Sequence, residues 1–113
     1  MLPNKVRLKK EKDFKRVLGS KNGGFSSDFT LKKAPNGLSF SRFGFLISAK
    51  VSSKAVERNR LKRQVAALVA GRQKEIKAGW DVVLIFRKTL IKQKGRQIGE
   101  KIRELFKKNQ LDA

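Results

Sequence analysis

The segment WDVVLIF, Trp80 to Phe86, places five consecutive branched or aromatic apolar residues after a single aspartate. A strand with one solvated face alternates apolar and polar side chains, whereas a continuous apolar run is typical of a strand covered on both faces. We therefore predict a doubly covered strand in this segment. Asp81 stands at its start, where we expect a turn or capping role.

Upstream of this strand, the segment KAVERNRLKR, Lys54 to Arg63, opens a predicted amphipathic helix. At about 100° per residue, successive apolar side chains of this helix share one stripe. The stripe consists of Leu61, Val65, Leu68 and Val69. Asn59, Arg60 and Arg63 fall on the opposite side, so the helix is expected to bury one side and to present a basic one.

The basic side of this helix suits contact with RNA. Arginine offers a planar fork of donors to phosphate oxygens, and asparagine can donate and accept hydrogen bonds at a base edge or a 2′-hydroxyl. The alternative is the solvated face of an ordinary helix. Such faces usually include glutamates for i,i+4 pairing, and this one contains only Glu57. We therefore favour RNA binding.

Two more helices are predicted, one at each end of the chain. In EKDFKRVL, residues 11–18, the side chains of Phe14, Val17 and Leu18 recur at helical spacing, and Gly19 ends the helix. Near the C-terminus, a clear amphipathic pattern predicts a last helix. Its apolar positions are Ile98, Ile102, Leu105 and Phe106.

Two further strands are predicted between the first helix and the basic helix. Residues 29–34 alternate apolar and polar side chains, and residues 40–47 are rich in Phe and Ile. Pro35-Asn36-Gly37 is a turn signal between them, so we expect an antiparallel hairpin. Lys21 to Ser27 is rich in Gly, Ser and Asn and reads as a loop.

Length and charge restrict the class of protein. The chain has 113 residues, the length of one ordinary domain, and 29 Lys and Arg against nine acidic residues give a net charge of +20. Such a charge opposes folding by self-repulsion, which predicts a polyanionic partner. Nucleic acid is favoured over an anionic membrane surface. The N-terminus lacks the apolar core of a signal peptide and no apolar run could span a membrane, so we expect a cytoplasmic protein.

The residue types that catalysis requires are scarce. Histidine and cysteine are absent, which removes the usual general base, the commonest metal ligands and any disulfide framework. The nine carboxylates are mostly isolated, and the closest pair, Glu11 and Asp13, points to different faces of the first helix. No glycine-rich phosphate loop follows a predicted strand. We predict neither catalytic nor metal-ligating residues in this chain.

Four stretches, taken in order, carry a family resemblance. They are Arg7-Leu8-Lys9-Lys10 with Asp13-Phe14, Arg42-Phe43-Gly44-Phe45 with Ser48 and Lys50, the helix segment around Arg58-Asn59-Arg60, and Gly79-Trp80-Asp81-Val82-Val83 with Arg87-Lys88. Together they resemble the bacterial ribonuclease P protein subunit, whose signature is arginine–asparagine–arginine. This chain departs from the family pattern at three positions. It has Ala66 where the family often has arginine, Ala49 where the family often has lysine, and Leu18 where the family often has an aromatic residue.

The resemblance implies an α+β fold in a single RNA-binding domain, residues 1–113. The implied architecture is a central, mostly antiparallel sheet of about four strands with helices, in the order α-β-β-β-α-β-α. It also implies an unusual left-handed βαβ crossover around the basic helix. Sequence pattern alone predicts the opposite hand, because right-handed connections are the strong default.

The resemblance also implies the function. The family's catalytic RNA cleaves the 5′ leader from precursor tRNA with magnesium held mainly by RNA and substrate, and the protein, acting as a monomer, binds both RNAs. The residues implied to bind the RNA subunit are Lys50, Lys54, Arg58, Asn59, Arg60, Lys62 and Arg63. Phe14, Arg16 and Lys32 are implied to bind the leader. Because Phe14 and Arg60 lie on different elements, two separate RNA surfaces are expected.

Some alternatives stay open at this level. Phe14 could stack on an unpaired base or simply pack in the core, since it shares helical spacing with Val17. A structural RNA-binding protein, such as a small ribosomal protein, would have a similar charge, size and fold class. A membrane-active cationic protein is a weaker third reading, because an isolated amphipathic helix would be expected in place of interspersed strands.

Overall fold

The computed structural model describes residues 3–111 and contains three helices and four strands within that range. In chain order they are α1 (Glu11–Leu18), β1 (Gly23–Phe25), β2 (Phe29–Pro35), β3 (Arg42–Leu46), α2 (Ala55–Ala70), β4 (Trp80–Phe86) and α3 (Gly95–Lys108). Short 3-10 turns cover Asn4–Val6, Gln73–Glu75 and Lys88–Lys92. The predicted α+β class and the order α-β-β-β-α-β-α are confirmed.

The four strands form one sheet in the order β1-β2-β4-β3. The β1–β2 and β2–β4 pairs are antiparallel, and the β3–β4 pair is parallel, so the sheet is mostly antiparallel as expected. β4 has a hydrogen-bonded neighbour on each side, and Val82, Val83 and Leu84 are fully buried. The apolar run therefore does form the doubly covered strand that its pattern predicts.

The predicted hairpin of residues 29–34 with residues 40–47 is wrong, because β4 lies between β2 and β3. The turn itself is present: Gly37 has a φ of 70°, and the Asn36 side chain accepts a hydrogen bond from the Leu38 amide at 2.8 Å. However, the Asn36 amide donates to the carbonyl of Gly79 at 2.9 Å, which ties the turn to the chain entering β4. The most apolar strand takes an interior place, where both its edges are paired and both its faces are covered.

The loop predicted over residues 21–27 is also partly wrong. Gly23–Phe25 forms the short edge strand β1, which pairs with β2. Gly23 passes so close to the carbonyl of Leu31 that a side chain there would collide with it. Glycine allows this approach, and pairing with β2 then overrides the loop-like composition of the segment.

The sheet has an apolar cluster on each face. Helices α2 and α3 cover one face, with the predicted α2 stripe buried at Leu61, Val65 and Val69 and Leu68 half-buried. Helix α1 covers the other face through a smaller cluster of Leu8, Val17, Ala34 and Val83. The connection from β3 through α2 to β4 joins two parallel neighbours, as the resemblance implies, and its left-handedness stays a prediction. None of the helices within residues 3–111 is long and apolar enough to cross a membrane.

Candidate nucleic-acid interface

The start of helix α2 is organised around Ser52. The Ser52 hydroxyl accepts a hydrogen bond from the Lys54 amide at 3.1 Å and donates to the Glu57 carboxylate at 2.8 Å. The half-buried Arg58 donates from Nη1 to the Ser52 carbonyl at 2.7 Å. Arg58, predicted to contact RNA, therefore also holds the loop that leads into the helix.

The other predicted RNA-subunit contacts are exposed. Lys50 and Lys54 lie in the loop before α2. On the helix, Asn59, Arg60 and Arg63 lie opposite the buried stripe, and Lys62 flanks it. Between residues 3 and 111, no hydrogen bond or ion pair engages the side chains of Asn59, Arg60 or Arg63. Their donors can therefore meet a partner without first breaking a contact inside the protein.

A groove of about 580 Å³ runs along the edge strand β3 and separates the N-terminal part of the chain from α2. Its lining includes Phe14, Gly44, Asn59, Lys62 and Arg63. The aromatic ring on α1 and part of the basic side of α2 thus border the same space. The expectation of two separate RNA surfaces stays a prediction. The two candidate surfaces adjoin in the groove, while Arg60 lies outside its lining.

Phe14 lies directly on β3. A Cβ atom added at Gly44 would stand 2.5 Å from Cε1 of the Phe14 ring, so only glycine lets the ring come this close to the strand. The ring is half-buried and packs against the cluster that contains Val17 and Val83. Phe14 therefore combines core packing with a place in the groove wall, so both alternatives raised for it have a structural basis.

Arg16 holds α1 on the sheet. Its guanidinium forms an ion pair with the fully buried carboxylate of Asp81 and donates to the Pro35 carbonyl at 2.8 Å. Arg42 donates to the same carboxylate through Nε at 2.8 Å and Nη2 at 2.7 Å. Arg16, predicted to bind the leader, thus has an intramolecular partner. Asp81 joins two arginines in a network and does not simply cap a strand.

The surroundings of Asp81 determine its charge state. Burial by itself would raise the pKa of this carboxyl group. Hydrogen bonds from Arg42 and Asn36, together with the charges of Arg42 and Arg16, outweigh burial and hold the pKa of Asp81 below its usual value. The network is therefore ionised at neutral pH and anchors α1, and with it Phe14, above the sheet.

Lys32 lies on the same sheet face as Phe14. It pairs in register with Val83, which pairs with Gly44 under the Phe14 ring. Its Nζ donates to the carbonyl of Ser20 at 3.2 Å, and the side chain is half-buried. Lys32 thus contributes a positive charge to the sheet face on which Phe14 lies, two strands away from β3 and the groove.

The carboxylates of this chain do not fit a resident magnesium site. No group of three or more His, Cys, Asp or Glu residues that could hold a metal occurs in residues 3–111. The two buried carboxylates already have partners. Asp81 binds arginine, and Asp28 accepts hydrogen bonds from Thr89 at 2.6 Å and Gln93 at 2.5 Å. Cations and neutral donors therefore occupy the oxygens that a hard cation would need.

Sequence reasoning missed that Gly44 shapes the groove. A glycine inside a strand, here between Phe43 and Phe45, is a known sign of close approach and could have indicated the seat of Phe14. Ala66, the position where the family often has arginine, also lines the groove, together with Asn59 and Arg63. Its small side chain leaves the groove wide at this point.

Comparison with known proteins gives consistent results. A protein-family model described as Ribonuclease P matches residues 2–110. The ribonuclease P protein component of Microcystis aeruginosa is 44% identical over 90 residues, which are 76% of this chain and 75% of that protein. The solved RNase P protein from Thermotoga maritima is 29% identical, with a TM-score of 0.82 over 90% of this chain and 96% of that one. The RNase P protein from Staphylococcus aureus, at 23% identity, shares the fold with a TM-score of 0.87 over 96% of this chain and 98% of that one.

Proposed function

This chain belongs to the ribonuclease P protein family, and from that premise we propose that its groove binds the 5′ leader of precursor tRNA while the exposed side of α2 binds the catalytic RNA. The chain is thus the protein component of an endoribonuclease that matures tRNA 5′ ends. Bond cleavage is assigned to the RNA subunit, and magnesium to the RNA and the substrate. The role of the protein is to bind the catalytic RNA and the leader and to position the leader for cleavage.

One observation carries the leader assignment, namely that an aromatic ring and cationic side chains share one groove. Phe14 offers a surface on which an unpaired base can stack, and Lys62 and Arg63 stand across the groove from it. An aromatic ring can stack on any base, and contacts with phosphates do not depend on the base sequence. The combination suits a leader whose sequence differs from one precursor to the next.

The assignment of the catalytic RNA rests on the exposed cations of α2 and its preceding loop, including Arg63, which lies opposite the buried stripe and also borders the groove. Lys50, Lys54 and Arg60 are exposed and lie outside the groove lining, so they can meet a second RNA while the groove is occupied. Arg58 and Arg16 have partners inside the protein. Arg58 is therefore assigned mainly to holding the loop before α2, and Arg16 to holding α1 on the sheet. Lys32 is kept as a leader contact because it lies on the sheet face next to Phe14.

Three broader proposals follow from this assignment. Residues 1–113 act as a single RNA-binding domain, and one copy of it joins one RNA subunit. The protein works in the cytoplasm, because bacterial tRNA precursors are made there. The alternative of a small ribosomal protein is not favoured, since the family match extends over residues 2–110.

Replacing Phe14 by leucine tests the leader assignment. Leucine keeps apolar contact with the Val17–Val83 cluster but cannot stack on a base. We expect the reconstituted holoenzyme to lose about fivefold to about 150-fold in affinity for precursor tRNA, since base–aromatic stacking is worth ~1–3 kcal/mol per base. Affinity for mature tRNA, which has no leader, should stay unchanged. Equilibrium binding of both tRNAs measures the difference.

A thermal melt of the free protein must accompany this comparison, because a destabilised Phe14 variant would imitate a binding defect. Phe14→Trp is the matched control, since it retains an aromatic ring. Equal losses for precursor and mature tRNA would refute the leader assignment. So would an unchanged precursor affinity in a normally folded Phe14→Leu protein.

A further inference from the structure

A second groove lies between helices α2 and α3, and the proposed function does not use it. Its volume is about 450 Å³, within the range of pockets that hold a ligand. It shares no lining residue with the groove along β3, so the two spaces open on different sides of α2. We call this second space the α2–α3 groove.

The floor of the α2–α3 groove is apolar and carries few side-chain atoms. Ala67, Leu68 and Gly71 form it on the α2 side, and Gly95 and Gly99 form it on the α3 side. Leu68 is only half-buried, and a Cβ atom added at Gly99 would stand 3.4 Å from its Cδ2. Glycines between helices often serve only to bring the helices together. Here they also leave an open space in which apolar surface of Leu68 stays uncovered.

Charged side chains form the rim of the α2–α3 groove. Arg72, Arg96 and Arg103 contribute three positive charges, and Glu100 contributes one negative charge. Arg96 and Arg103 are exposed, and within residues 3–111 no hydrogen bond or ion pair engages either guanidinium. They lie seven residues apart in α3, which corresponds to about 10.5 Å along the helix. Arginine forks without a counter-charge, at the edge of an apolar floor, suit a partner that has both carboxylates and apolar side chains.

An acidic helix fits the α2–α3 groove better than RNA does. Single-stranded nucleic acid stacks its bases on aromatic rings, and no residue that lines the groove is aromatic. A duplex has no apolar side chain to cover Leu68, and Glu100 would repel its phosphates. A second copy of this chain is disfavoured because each copy has a net charge of +20. An amphipathic helix, in contrast, buries apolar anchors in a groove and can place carboxylates at the rim.

We propose that the α2–α3 groove binds an acidic amphipathic helix of another protein, which the holoenzyme thereby holds beside its RNA. Leucines at positions i+3 and i+4 of that helix pack on Leu68 and the glycines of the floor. Glutamates at positions i and i+7 match the spacing of Arg96 and Arg103, and no acidic residue then stands opposite Glu100. This interaction goes beyond the proposed RNA binding and leaves the groove along β3 free.

The experiment uses a fluorescent synthetic helical peptide with this pattern of leucines and glutamates, and the reconstituted holoenzyme. RNA in the holoenzyme repels acidic peptides, so nonspecific attraction to the basic protein is suppressed. We expect saturable binding of one peptide per protein, measured by fluorescence anisotropy at about 0.15 M salt. Peptides with serine in place of both leucines, or glutamine in place of both glutamates, should bind more weakly.

Variants of the protein locate the binding site. Arg96→Ala with Arg103→Ala should weaken peptide binding by roughly twofold to thirtyfold, the effect of losing two exposed ion pairs. Lys107→Ala with Lys108→Ala is the matched control, because it removes two exposed cations from the same helix outside the groove. Gly99→Leu places a side chain in the groove at constant charge and should abolish binding. Thermal melts of each free variant test its folding.

The opposite results would overturn the proposal. Equal losses in the two double variants, or equal binding of the serine peptide, would mean that general charge attraction explains the binding. Undiminished binding by a folded Gly99→Leu protein would place the peptide elsewhere. If only the free protein binds the peptide, and Arg96→Ala with Arg103→Ala weakens assembly with the RNA subunit, RNA occupies the groove and the proposal is wrong. A wild-type protein that does not assemble with its RNA subunit would refute the proposed function instead, and the free protein then tests the groove.

Discussion

Replacing Arg60 and Arg63 together by alanine is expected to weaken binding of the protein to its RNA subunit by roughly a hundredfold or more. Both side chains are exposed on α2, opposite the buried stripe, so the fold should survive the change. A hydrogen bond from a charged group is worth ~1.5–3 kcal/mol, and two such losses combine to ~3 kcal/mol or more. Equilibrium binding at fixed ionic strength measures the effect, and thermal melts of the free variant test its folding.

The control for this double variant must lose the same charge elsewhere. Arg103→Ala with Lys107→Ala removes two exposed cations from α3 and also reduces the net charge from +20 by two. We expect a much smaller effect there, because only the general attraction to RNA declines. Equal losses in the two double variants would show that net charge, and not the α2 surface, determines assembly.

The single arginine variants add a finer test of the same surface. Arg63 lines the groove and Arg60 does not. Arg63→Ala should therefore also reduce the affinity of the assembled holoenzyme for precursor tRNA, whereas Arg60→Ala should affect assembly alone. Identical behaviour of the two would mean that the groove and the exposed side of α2 are one RNA surface.

Replacing Asp81 by asparagine should lower the free energy of unfolding by ~3–5 kcal/mol, the usual effect of removing one partner from a buried ion pair. Asp81 is fully buried and forms ion pairs with Arg16 and Arg42, so the substitution removes their buried counter-charge and leaves them only the longer ion pairs with Asp13, at 3.8 and 3.7 Å. Urea unfolding at neutral pH measures the loss. A loss below ~1 kcal/mol would mean that the network contributes little to holding α1 on the sheet.

The control is the pH dependence of the free energy of unfolding, compared between the wild type and Asp81→Asn. The pKa of Asp81 is lowered in the folded protein, so the stability that it contributes is present above the unfolded value of ~3.9 and is lost as the pH falls through the folded value. The difference between wild type and Asp81→Asn should therefore shrink in acid. Asp28, whose pKa is also lowered, is present in both proteins and cancels in the comparison. A difference that stays constant into acid would show that lost packing, and not lost charge, causes the defect.

Much of the secondary structure could be predicted from sequence because its signals are local. Helix α1 has the predicted bounds Glu11–Leu18, and the apolar run Trp80–Phe86 forms β4 over its full length. The stripe of α2 predicted which side is buried, and hence which basic residues are exposed. Periodicity records which side of an element avoids water, and the element keeps that side wherever it packs.

The arrangement of these elements was decided only by the tertiary structure. Strands can pair with partners that are far apart in sequence. The turn signal at Pro35–Gly37 predicted that β2 and β3 pair directly as a hairpin, whereas β4 lies between them. The same long-range pairing recruited Gly23–Phe25 as an edge strand in spite of its loop-like composition.

The site depends on the same kind of information. The sequence by itself determined the charge, the exposed basic side of α2 and the absence of histidine and cysteine, because composition and periodicity carry them. The tertiary structure decided that Phe14 lies on Gly44 in the same groove as Arg63, and that Arg16 turns inward to Asp81. Each of these contacts joins residues that are distant in the chain, and the packing of α1 on the sheet, together with the register of the strands, determines which side chains meet.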